Sequence, residues 1–342
     1  EREWVMRTGH SVWLRTAPID PQDPMRGDYV RLDYEIAHVP RGLCRDGVAD
    51  WFAAPVRGIR DIRDRRVYAE LKPDDEGVGE LISLSDREPA SGLYLRGRAD
   101  SISNGTIQIR FGVEALFMEQ GKARKFEDDQ GNRVGVPLDF EVAVGRHGLG
   151  VLKSYRWEPL GLTLTLDSPQ ALPQSQPSAS GVRRAGLRGA TVELKNHGDR
   201  PVAVVIEPRG GSFRLVRRER SFGNARIQQA IALAGNENPY AWVGENRTTT
   251  HAPTAEVRVL QPGESYQEHL DFMAPAWFVA DTREGLSATP IALGAVANFG
   301  NASFRIEYAA PTSAESAGLP HGGLIYHGRL TSRAFSAGAR VD

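Results

Sequence analysis

Four carboxylates raise the question of acid–base chemistry in this chain. Asp28, Asp33 and Glu35 fall close together, and Glu114 follows a later glycine. A glycosidase needs two such groups held about 5–10 Å apart. Asp33 and Glu35 share one face of an extended segment, which is also how a solvated strand face looks. Cys44 follows His38 in one loop-like stretch. A thiolate–imidazole pair would need contact and an orienting third group, and a small packed cysteine is the plainer reading. His321 and His327 stand near a glycine-rich run, but no third ligand for a metal accompanies them. Arg57, Arg60 and Arg63, followed by Arg65 and Arg66, form a patch that could hold an anion. Asp61 and Asp64 interrupt it and favour a solvated, internally paired hairpin. The acidic run 74–76 lacks the spaced oxygen ligands of a calcium loop and reads as a hairpin tip.

The elements that must position these groups start at a turn. Pro18, Pro21 and Pro24 each lack a backbone donor and extend the residue before them. Gly27 supplies φ freedom, and Asp28 can accept from backbone N–H groups just beyond it. From Tyr29 the pattern has period two. Tyr29, Arg31, Asp33 and Glu35 point one way; Val30, Leu32, Tyr34 and Ile36 point the other. The expected element is a strand with one apolar face, in which Leu32 and Tyr34 meet a core and Tyr29 covers the turn or an edge.

The octet Gly27–Tyr34 reads G-D-Y-x-x-L-x-Y. With the segments 14–21, 92–98 and 110–117, it resembles the bacterial GDYXXLXY family over about residues 1–155. The resemblance implies an extracytoplasmic part of a protein carried by an N-terminal membrane segment upstream of Glu1. It supplies no activity. Type I signal peptidases also open a strand on Gly-Asp, but they place a serine just before it. Residues 17–26 contain none, so Lys72, Lys122, Lys125 and Lys153 are expected to lack a nucleophile to activate.

Composition sets further bounds. The 342 residues suffice for two domains. A net charge of −1 gives no global field that favours nucleic acid or an anionic membrane. A single cysteine excludes an internal disulfide framework. With 36 glycines and 21 prolines, many turns between short strands are expected. No motif points to a cofactor or a bound metal.

The fold expected is all-β. Residues 1–158 form an antiparallel sheet or partly closed barrel, with a first strand over 7–16 and a loop over 40–50. Residues 159–342 form an immunoglobulin-like sandwich, since short strands joined by Pro/Gly turns recur through it. Within it, 190–196 and 202–206 are expected to form a hairpin, burying Val192, Leu194, Val204 and Ile206 with the alternate residues outside. The segment 325–330 is its last strand, 226–234 a connecting helix, and 168–181 a linker or long loop. The function expected is a non-catalytic binding or structural protein of the bacterial envelope, acting through protein partners. The alternative is a carboxylate-dependent hydrolase at the signature strand.

Overall fold

The computed structural model describes residues 2–16, 29–52, 62–103, 105–117, 126, 133–168, 170–171, 184–206, 212–218, 240–242, 255–281, 285–286, 291–293, 303–336 and 338–340. Gly27, Asp28, Arg57, Arg60, Lys122, Lys125, the segment 226–234 and most of 168–181 lie outside them. The chain is all-β and divides into two units. One comprises Glu1–Arg133 with Pro137–Glu158; the other comprises Val134–Val136 with Pro159–Asp342.

The first unit begins with a helix, α1 (Arg2–Thr8), and not with a strand from Arg7. A Glu3–Arg7 ion pair at 2.9 Å spans one helical turn, and Gly9 N–H closes the helix onto Val5 O. Val5 is its one buried side chain. β1 (His10–Arg15) then alternates, with Val12 and Leu14 inward. It pairs antiparallel with β9 (Leu138–Val144), which also pairs with β10 (Gly150–Trp157). A five-stranded antiparallel sheet has the order β3–β7–β6–β4–β5. These strands are His38–Pro40, Thr106–Arg110, Leu93–Ser103, Arg66–Pro73 and Gly79–Ser85 respectively. A short pair, β2 (Tyr29–Arg31) and β8 (Ala115–Phe117), completes the set. Bridges at Trp13–Val78 and Thr16–Tyr34 tie the sheets together into a partly closed, barrel-like arrangement. One core fills it, built on Leu14, Tyr34, Leu95, Ile107, Ile109 and Phe140.

Two local expectations need correction. The signature strand stops at Arg31, and Glu35–Ala37 is a 3₁₀ turn. Ile36 keeps the inward parity of Leu32 and Tyr34, and the turn brings Ala37 inward beside it, so period two ends at Ile36. The expected loop over 40–50 contains a 3₁₀ turn, Arg41–Leu43, and the helix α2 (Asp46–Asp50), anchored by buried Val48.

In the second unit, Leu160–Leu166, Gly189–Asn196 and Ser265–Asp271 form one antiparallel sheet. Phe213–Arg218 centres a larger sheet with Ser303–Ala309 on one side and Tyr240–Trp242 on the other. Val202–Ile206 is not the hairpin partner of Gly189–Asn196; it pairs with Glu256–Leu260. Its five residues are all buried, which corrects the expected alternation. Val204 and Ile206 join the main core. Ala203 and Val205 pack instead with Ile325 and partly buried Val257 and Val259. A continuous apolar run is the mark of a strand covered on both faces. Val192 and Leu194 are buried, and Thr191, Glu193 and Lys195 between them are only partly covered. The segment 325–330 is not one strand: Ile325 bridges to Ala203, and the strand there is Arg329–Thr331.

Candidate functional site

The signature residues that are described work inside the first core. Leu32 N–H donates to Glu114 O at 2.8 Å, extending the β2–β8 pairing by one bond. Tyr34 is fully buried, its hydroxyl donates to Val113 O at 2.9 Å, and its ring meets Phe140 edge-on. Burial, and then the nearby Glu114 charge, push the Tyr34 phenol far above its usual range. The expected acceptor role of Asp28 lies outside the described residues.

Two further acids of the signature region, Glu114 and Asp33, have partners. Glu114 accepts from the N–H groups of Phe111 and Gly112, capping a turn in which Gly112 has φ +81. Asp33 lies 2.8 Å from His38 Nε2. That contact orients His38 toward Asp33. The Cys44 thiol lies 3.7 Å from Pro40 O, and burial pushes it up to about 11 against the charge of Arg45. Cys44 therefore stays a thiol at neutral pH, the inert form for nucleophilic work.

Of the arginine patch, Arg63 is described. It is exposed and stands 4.0 Å from Asp100. Asp100 and Asp64 also pair with Arg110, at 3.2 and 2.7 Å. His327 Nδ1 lies 2.9 Å from the Pro311 carbonyl, and His321 occupies a left-handed turn at φ 61. Among the described residues no three His, Cys, Asp or Glu side chains gather as a metal site. Lys153 does have a hydroxyl neighbour, contrary to expectation: its Nζ is 2.9 Å from Ser11 Oγ. The same Nζ is 2.5 Å from Glu141, whose carboxyl hydrogen bonds from Lys153, Ser154 and Ser11 hold down at about 2. In this arrangement Lys153 donates to both Ser11 and Glu141.

Two constellations escaped the sequence. The first is a buried charge cluster drawn from β1, β9 and the end of β10. Arg15 makes a two-pronged contact with Asp139, at 3.0 and 3.2 Å, and reaches Glu158 at 3.4 Å. Arg156 touches the same two acids at 3.4 and 3.2 Å and lies over the Trp13 ring. Burial acts first on both acids and raises them. The Arg15 charge and its hydrogen bond overcome this for Asp139, which is lowered. Glu158 is raised, since a hydrogen bond to Asp139 and that neighbour's charge add to its burial. One ionised and one protonated carboxyl thus sit between two guanidiniums. Asp139 is 0% exposed and Glu158 4%, so no substrate reaches them; the cluster welds three strands together.

The second is an open cleft of about 390 Å³. Trp4 of α1 projects into it and is 56% exposed. Thr8, His10, Ser91, Tyr94, Arg146 and His147 complete its polar and aromatic lining. Glu88 accepts from the Tyr94 hydroxyl and from His147 Nδ1, both at 2.7 Å. These bonds, Tyr94 first, hold the exposed Glu88 carboxyl below its usual range. Two glycines shape the walls. A Cβ on Gly145 would stand 2.6 Å from Val5, so α1 can dock there. Gly148, at φ +70, lets the loop carrying His147 press on the Tyr94 ring. The residues are scattered across 4–147, which explains why no motif announced them.

Comparison with known proteins adds one match. Residues 1–154 fit the family model described as GDYXXLXY protein. No curated protein matches the chain.

Proposed function

From the fit of residues 1–154 to the GDYXXLXY family model, we propose a non-catalytic protein of the bacterial cell envelope that acts by binding protein partners. It works outside the cytoplasm and is held at the membrane. The second unit serves as an immunoglobulin-like sandwich that presents loops. Its short antiparallel strands around a main apolar core support that reading.

One observation carries the non-catalytic part. Two described acids beside the signature already have partners: Glu114 accepts from two backbone donors, and exposed Asp33 pairs with His38. A hydrolase at this strand would need them converging on an open crevice. The test has two arms. A tagged chain expressed from its own gene should fractionate with the envelope, and photo-crosslinking from exposed positions of the second unit should trap one defined envelope protein. Purified protein should turn over no chromogenic glycoside or ester. Turnover that Asp33→Asn abolishes while the melting temperature holds would replace this reading with the hydrolase; a cytoplasmic fraction would remove the envelope role.

A further inference from the structure

We propose that the cleft beside α1 binds a pyranose sugar carrying a carboxylate, of the hexuronate type. This goes beyond partner binding and uses residues apart from the signature. Four features of the cleft select the ligand. Its volume of about 390 Å³ falls within the range of small-molecule sites. Trp4 presents an indole at the rim that no partner covers among the described residues, and it projects from a helix whose burial rests on Val5 alone. An exposed indole face suits the C–H face of a sugar ring, an apolar surface on an otherwise hydrated molecule. Ser91, His10 and the second ring nitrogen of His147 supply hydrogen-bonding groups for hydroxyls.

Charge decides the acid. No acidic residue lines the cleft among the described residues, while Arg146 does. Many arginines of this unit are spent on carboxylates, including Arg7, Arg15, Arg110 and Arg156. Arg146 has no such partner among the described residues, and its planar fork matches a carboxylate in two-pronged geometry. Glu88 is exposed and touches two residues of the lining. It holds Tyr94 and His147 through one oxygen, so Arg146 is the cation of the lining without a carboxylate partner among the described residues. The openness of the cleft argues against a flat aromatic acid, which would gain most from an enclosed apolar pocket.

The test titrates the whole chain with glucuronate and galacturonate, reading tryptophan fluorescence and ligand-detected NMR. Glucose, galactose and acetate serve as controls. Saturable uronate binding is expected. The neutral sugars should bind about tenfold more weakly, and acetate should not compete at matched concentration. Trp4→Ala should cost about tenfold in affinity with an unchanged melting temperature, because the ring is exposed. Arg146→Gln should erase the preference for the acid while keeping the weak neutral binding, and added salt should do the same in part. Absence of saturable uronate binding overturns the proposal. So does binding that both variants leave intact, or acetate competing as well as the sugar acid. Partner crosslinking through the second unit is read separately, so failure here leaves the proposed function standing.

Discussion

At the scale of single residues, Tyr34 and Glu158 carry the clearest consequences. Tyr34→Phe removes one buried hydroxyl and strands the Val113 carbonyl, which should cost about 1–3 kcal/mol in denaturant unfolding. Tyr34→Ala adds a cavity and should cost about 3–5 kcal/mol. Equal losses in the two variants would mean that the ring packs poorly. Glu158 gives a pH signature. Its folded value is raised, so its contribution is full below the ordinary carboxylate range and is lost as pH rises through about 8. Asp139 is lowered, so its contribution is present above the ordinary range and is lost as pH falls through its folded value. Glu158→Gln keeps the neutral form at every pH. The melting temperature of the wild type should therefore fall more steeply than that of Glu158→Gln between pH 5 and 8. Parallel curves would show that the cluster does not hold a protonated carboxyl.

At the scale of elements, the contrast between two strands of the second unit shows what a sequence reveals. Gly189–Asn196 alternates in the string and in space, because one face meets the core and the other is only partly covered. Val202–Ile206 has no alternation to read, and its two-sided cover comes from segments 50 and 120 residues away. Its crossing to a separate sheet was equally hidden, since a turn between two strands does not fix their pairing. Tyr308 holds this strand in place, its hydroxyl donating to Val205 O at 3.1 Å and accepting from Val205 N–H at 3.0 Å. Val205→Thr, which places a hydroxyl among apolar neighbours, should cost about 1–3 kcal/mol in chemical denaturation. A neutral effect would mean that this face is solvated. The parity grouping Leu32 with Tyr34 was visible in the octet, and both side chains are buried. The 3₁₀ turn that follows was not visible, because 3₁₀ turns are short and leave no periodic trace.

At the scale of the molecule, each unit has its own apolar core, one around Tyr34 and Phe140, the other around Trp277, Phe272 and Tyr308. The all-β class was legible from turn residues and short alternating runs. The cleft and the charge cluster were not, because each is assembled from segments more than 100 residues apart. Long-range placement of single polar residues leaves no spacing to detect. The central claim is that Leu32 and Tyr34 of the signature are core residues of a self-contained N-terminal unit. Scanning calorimetry of the wild type beside Tyr34→Ala tests it most directly. The account predicts two transitions, of which Tyr34→Ala lowers one and leaves the other in place. A single transition that falls as a whole, or two unmoved by Tyr34→Ala, would contradict it.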